Sequence, residues 1–417
     1  MARLAPTRLA GMIAATAMCA AAATEAAAQT VPPGSLVLNT QLQLGDVVAG
    51  ETLNVVDVRE QVTVTNSAHG NVLIGAVQND SLTLGSTQTL REDVQAQTVL
   101  TLGGDTEGVV SATTQARGNY LAAGAYDADL TLYATQEVDE VEITASSTVT
   151  DETARLIGGA YVHSAAIANT VAVGGEGATV QGVVDQTSAA TVRAHNFLGS
   201  QYIPNQAEFT SQAIANAVAV NSDQASNQDL SVRQRARGVI VEADTSANSG
   251  NAWDLAGRAN AAANQTVLAN QGGSLMARTD QGNDARVRAA TIVTAYDFGA
   301  ATAQARGVGN EVSAGNNDIY LELDNTQLNN GRIDATAQFS GANGYDAYVG
   351  ADAAGNVVTG YACSECQGVI DARNTQTNTA NITATTSVTT TGASRAVIAG
   401  ANATGNSATF YVSRPGN

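Results

Sequence analysis

Between residues 287 and 335 the chain reads Val287-Arg288-Ala289, then Gly309-Asn310, then Ile333-Asp334-Ala335, and the alternation of these two markers decides the fold. The first marker, a small residue followed by Asn, recurs as Gly70-Asn71, Gly118-Asn119, Ala168-Asn169, Ala215-Asn216, Ala263-Asn264, Gly355-Asn356 and Gly405-Asn406, at spacings of 46 to 50 residues. The second, a β-branched residue, a polar residue and Ala, recurs from Val94-Gln95-Ala96 to Ile382-Thr383-Ala384 at spacings of 46 to 49. Each second marker lies 23 to 26 residues beyond an Asn. Self-similarity at such a period is the signature of stacked repeat units.

Within the repeats the pattern is strand-like. Gln41-Leu42-Gln43-Leu44, Gln61-Val62-Thr63-Val64-Thr65, Ser81-Leu82-Thr83-Leu84 and Asp129-Leu130-Thr131-Leu132 alternate polar and apolar residues, the period-two signal of a half-buried strand. Gly and Asn cluster between the runs, where tight turns need positive φ. Asn, Gly and Thr are poor helix formers. The fold expected is therefore all-β: a parallel β-solenoid, with the unit of ~47 residues split into two turns of ~23. About 16 such coils stacked at ~4.8 Å would make a rod on the order of 75 Å long. The middle residue of the second marker is always polar and should face water, between inward Val, Ile or Ala.

Stacked coils place equivalent side chains above one another. Asn71, Asn119, Asn169, Asn216, Asn264, Asn310, Asn356 and Asn406 are thus expected to form a structural ladder of amide hydrogen bonds. Open end coils invite aggregation, so residues 29–60, as cap or lead-in strands, and Arg414-Pro415 are the candidate ends of a repeat domain over 61–417. The first 28 residues read as a signal peptide: Arg3 and Arg8, an apolar run over 9–23, and Ala26-Ala27-Ala28 as cleavage site. Export follows, with no transmembrane segment in the mature chain, since no later run is long and apolar enough.

Composition narrows the function. The 417 residues are 44% hydrophobic but only 14% charged and 4% aromatic, with no Lys and a formal net charge of −19. So acidic a chain is a poor nucleic-acid binder, and no nucleic-acid partner is expected. Three widely spaced histidines, His69, His163 and His195, leave little material for metal or general-base chemistry. No catalytic constellation, metal site or cofactor is expected, and the chain is read as not an enzyme. Glu137, Asp139, Glu140 and Glu142 form the densest acidic patch, read as a solvated edge. Arg233, Arg235 and Arg237 alternate along one strand, a stripe that could hold an anionic polymer but is read as a solvated face that discourages edge pairing.

Two further features stand out. Cys363 and Cys366 lack the βαβ context of a redox site and the extra ligands of a metal site, and in an exported chain the pair reads as a structural disulfide. Trp253-Asp254, Tyr296-Asp297 and Tyr345-Asp346 precede their Asn markers by 11, 14 and 11 residues. A file of aromatic and acidic side chains could bind polysaccharide, flat rings covering the apolar sugar faces and carboxylates accepting hydroxyls. The uneven offsets favour plain packing of rings over a loop.

With Gln-Ala-Arg-Gly-Val-Gly-Asn at 304–310, Asn374-Thr375-Gln376-Thr377-Asn378 and the Cys363/Cys366 turn, the exported Ala/Thr/Asn-rich coil resembles the HfaD family of holdfast anchor proteins from stalked alphaproteobacteria. The resemblance implies a cell-surface or outer-membrane protein acting with other outer-membrane anchor proteins to attach an adhesive holdfast polysaccharide to the cell envelope. It carries over no catalytic residues. The alternatives are a polysaccharide-processing β-helix enzyme and, from the Asn/Gln-rich turns, a curli-like amyloid subunit.

Overall fold

A computed structural model describes residues 34–363 and 368–412. The signal peptide expected over 1–28 lies outside the described residues, as do Cys366 and Arg414-Pro415. One circuit of the chain is three extended runs. In the first rung these are β1 (Ser35–Gln43), β2 (Val47–Val55) and β3 (Gln61–Gln78). The second rung holds β4 (Ser81–Leu90), β5 (Val94–Leu102) and β6 (Val109–Tyr126), and the third β7 (Asp129–Val138), β8 (Glu142–Arg155) and β9 (Ala160–Glu176).

From the fourth rung the second and third runs fuse. There β10 (Thr179–Ser188) leads into β11 (Thr191–Asp223), and β12 (Asn227–Ala236) into β13 (Ile240–Asn270). Likewise β14 (Ser274–Asn283) leads into β15 (Arg286–Asn316), and β16 (Tyr320–Asn329) into β17 (Ile333–Ala362). The eighth rung is β18 (Val369–Asn378), β19 (Ile382–Thr390) and β20 (Ser394–Val412). First runs stack in one eight-stranded sheet, in the order β1-β4-β7-β10-β12-β14-β16-β18. Second and third runs stack in a twelve-stranded sheet. The chain is a parallel β-solenoid. Residues 35–55 already belong to it, because β1 pairs with β4 and β2 with β5 in parallel.

The length of the turn differs from the expectation of ~23 residues. Asn216 aligns with Asn169 on one side and Asn264 on the other, so one turn is the whole unit of 46–50 residues. The two markers never stack on each other: Val241-Glu242-Ala243 aligns with Val192-Arg193-Ala194 on the second run, while the Asn step lies on the third. Eight rungs span seven steps of ~4.8 Å, about 34 Å, rather than the 75 Å of sixteen coils. The half-unit similarity arises because one wide turn encloses two apolar layers. Leu90, Val94, Val192 and Phe209 belong to one, Leu84, Leu121, Val173 and Leu321 to the other.

Between the layers runs a polar seam. Asn71 Nδ2 donates to Asn119 Oδ1 at 2.8 Å, and the same bond recurs at every step to Asn356 and Asn406, at 2.7–2.9 Å. A second file, unforeseen from the sequence, runs the other way. Gln376 Nε2 donates to Gln327 Oε1, and so on through Gln281, Gln234, Gln186, Gln136 and Gln88 to Gln41, at 2.7–2.8 Å. The two files brace each other. Asn216 also donates to the carbonyl of Arg235, which follows Gln234, and Gln234 donates to the carbonyl of Gln265, which follows Asn264. The buried amides of the two files are thereby paired with one another. The rungs approach closely at the step before Asn: a Cβ built at Gly309 would lie 2.5 Å from the carbonyl oxygen of Gly355 in the next rung, while Ala168, Ala215 and Ala263 fill the same position in the third to fifth rungs.

Burial alternates along most of each strand as period two requires, broken by runs of consecutive buried residues at the Asn step, as at 164–169 and 213–216, and β1 inverts the expected hydropathy. Gln41 and Gln43 of β1 are half-buried while Leu36, Leu38 and Leu42 are exposed, because the inward position at Gln41 belongs to the amide file. On the second run the polar middle residues align as Arg193, Glu242, Arg288 and Asp334. Glu242 and Asp334 are each only 7% exposed rather than open to water, since arginines cover them. Arg193 and Arg288 both pair with Glu242, and Arg286 and Arg332 with Asp334.

Candidate functional site

The corner where the second run turns into the third carries the aromatic residues. Register puts Trp253 of β13, Gly299 of β15 and Tyr345 of β17 in one file across three rungs, with Asp254, Ala300 and Asp346 beside them. Trp253 and Tyr345 meet edge to face, ring centroids 6.0 Å apart and planes at 70°. The gap at Gly299 makes this contact possible: a Cβ there would lie 2.4 Å from the Trp253 carbonyl oxygen and 2.9–3.0 Å from indole carbons. Trp253 therefore rests on the backbone of the next rung.

A cavity of about 500 Å³ opens here, lined by Tyr202, Pro204, Asn251, Trp253, Asp297, Phe298, Gly299, Asn343 and Tyr345 among others. A neighbouring one of about 240 Å³ is lined by Trp253, Asp254, Tyr345, Asp346 and Arg395. Phe298 floors the groove against Phe339, at 4.8 Å and 77°. Asn251, Asp297 and Asn343 form a polar file in register with Tyr202. The Asp297 amide donates to Asn251 Oδ1 at 3.2 Å and Asn343 Nδ2 to Asp297 Oδ1 at 3.3 Å.

Electrostatics separate the acids. Arg395 of the eighth rung pairs with Asp346 and lies 5.4 Å from the Tyr345 centroid. Its hydrogen bonds hold the Asp346 carboxyl below the ordinary value. Asp254 goes the other way, raised by burial first and by Glu208 second, with Arg258 opposing. Of the six residues singled out from the sequence, Trp253, Asp254, Tyr345 and Asp346 converge, Asp297 lines the same groove, and Tyr296 is exposed beside it. Tyr202, Phe298, Gly299, Asn343 and Arg395 were not foreseen. Only the register, which carries Gly299 opposite two rings, could have marked them.

The remaining candidates are structural in their surroundings. Arg233 pairs with Asp185 and Arg235 with Asp280, each in an adjacent rung. Asp139 pairs with Arg91 at 3.2 Å and Glu142 with Arg193 at 2.9 Å. Cys363 is disulfide-bonded. Among the described residues no group of His, Cys, Asp and Glu could hold a metal ion, and no helix is long and apolar enough to cross a membrane.

Stacked rungs with one groove cut across several of them define a repeat protein of the parallel β-solenoid class. The family model described as holdfast attachment protein D, HfaD, matches residues 56–332. That is more than half of the chain, and the chain belongs to this family. The family name implies a role in holdfast attachment. No curated protein and no solved structure matches the chain.

Proposed function

We propose that the chain is an exported cell-surface anchor that helps hold an adhesive holdfast polysaccharide to the cell envelope, by multivalent, non-catalytic binding. Its partners in this reading are the surface polysaccharide and other outer-membrane anchor proteins. The observation that carries the proposal is the unbroken double amide file inside a chain of the holdfast attachment family. Parallel backbone ladders braced by two opposed side-chain files resist shear between rungs, and rigidity is what an attachment element under load requires. Repeated contacts on adjacent rungs multiply weak binding into avidity.

Gene deletion with complementation tests this. Loss of the chain should shed polysaccharide into the medium and reduce surface attachment, and the full-length gene should restore both. Unchanged attachment in the deletion strain overturns the anchor reading.

A further inference from the structure

We propose that the corner groove seats a straight, uncharged pyranose chain laid parallel to the stacking axis of the rungs. The inference rests on the polysaccharide-attachment reading above and says where and in what orientation the polymer is held. Its first support is the exposure of the rings. Trp253 is 60% and Tyr345 50% exposed, and these two exposed rings meet each other, 6.0 Å between centroids, in a groove that Phe298 also lines. Exposed apolar surface in a walled groove marks a binding site. Trp253 is pressed against Gly299 on one side, so its free face is a flat platform of the kind that covers the C–H face of a sugar ring.

The polar file gives the direction. Asn251, Asp297 and Asn343 come one from each rung, and rungs repeat at ~4.8 Å along the axis. That step is close to the advance per sugar in an extended, equatorially linked chain. Successive sugars then meet a side-chain amide or carboxylate for their hydroxyls. The internal bonds of the file use Asn251 Oδ1, Asn343 Nδ2 and one oxygen of Asp297, and Asn343 Oδ1 lies against Gly392, so Asn251 Nδ2 and the other Asp297 oxygen are the groups of the file offered to a ligand in the groove they line. A chain lying across the axis would meet a single such group.

Charge selects against a polyanion. Asp254 and Asp297 line the two cavities, and their one cation, Arg395, is already engaged by Asp346. A formal net charge of −19 adds general repulsion.

Trp253 is the only tryptophan in the chain, so tryptophan emission reports on this groove alone. The mature full-length protein is titrated with cellobiose, cellohexaose, maltohexaose and hexagalacturonate, with a proline-rich peptide as a further arm. Cellohexaose should change the emission and bind at least ~10-fold more tightly than cellobiose, because added sugars engage further rungs. The curved maltohexaose and the anionic hexagalacturonate should bind more weakly than cellohexaose. Tyr345→Ala should weaken cellohexaose binding ~10-fold or more with the melting temperature unchanged, and Trp253→Phe, read by calorimetry, should retain most of it. The proposal is overturned by equal responses to cellobiose and cellohexaose, by no response to cellohexaose, or by preference for hexagalacturonate or the peptide. Polysaccharide shed on gene deletion but no oligosaccharide binding would sink the groove and spare the anchor. Binding abolished by Tyr345→Ala in a protein whose deletion leaves attachment intact would do the reverse.

Discussion

Asn216 shows at the scale of one residue what the seam does. It is fully buried, accepts from Asn169, and donates to Asn264 and to the Arg235 carbonyl. Truncation removes three hydrogen bonds and leaves the Asn264 oxygen and one N–H of Asn169 unpaired, although Asn169 keeps its bond to the Thr187 carbonyl, and each unsatisfied group costs ~1–3 kcal/mol. Asn216→Ala should therefore lower the unfolding free energy by about 3 kcal/mol or more in a denaturant titration. Asn406→Ala, at the open end of the file, should cost roughly a third as much, since Asn406 accepts from Asn356 alone among the side chains of the file. A second buried group titrates. Asp151 is fully buried and its carboxyl is pushed up to about 6 by burial, the Ala154 amide opposing and Asp105 adding slightly. Against ~3.9 for an unfolded Asp, the folded chain holds this proton more tightly. Its contribution to stability is thus full below about pH 4 and is lost as the pH rises through about 6. The melting temperature of the native protein, measured against that of Asp151→Asn, should fall over that interval; a constant difference from pH 4 to 7 contradicts the assignment.

The strands β11, β13, β15 and β17 carry the outer charge file on their second run. Glu242 is shared by Arg193 and Arg288 and is nearly covered by them. Arginines on this face are themselves substantially exposed, which limits each pair to at most ~1 kcal/mol. Glu242→Gln should therefore cost about 1–2 kcal/mol at low salt, and the loss should shrink in 1 M NaCl, where exposed pairs are screened. The same strands explain how legible the elements were. Val62, Val64, Leu82 and Leu84 are inward as their alternation indicates. The Gln file is hidden in the sequence because Gln is common on outward strand positions, and at the end of β1 Leu42, with Leu44 just beyond the strand, carries the apolar half of the alternation although both are exposed. The convergence of Trp253 with Tyr345 escaped for a related reason. Offsets of 11 residues before each Asn do align them, but the meaning of that alignment depends on Gly299 lying between.

Across the whole molecule strands pair only with those of adjacent rungs, so stability is to a first approximation a sum of rung and interface contributions. Excising residues 129–178 joins Ala128 to Thr179, which already aligns with Asp129. The shortened chain should restack with both amide files closed, giving a β-type circular dichroism spectrum and a cooperative melt. Removing only residues 129–152, about half a turn, should abolish folding, because it sets the end of β8 and the third run β9 against the first and second runs of the rung before. A cooperative melt from the half-turn deletion would contradict a rung of 46–50 residues.

Period, strand type, parallel stacking and the Asn file were all settled by local chemistry, because each depends on which residues recur and at what interval. The size of the turn was not. Two half-units of similar length and the same two-residue alternation are compatible with stacking on each other or with lying on different faces. Backbone pairing alone distinguishes these, by placing Asn216 against Asn264 and never against Val241-Glu242-Ala243. The groove was decided the same way: residues some 46 positions apart become neighbours only once the circumference of the turn is known.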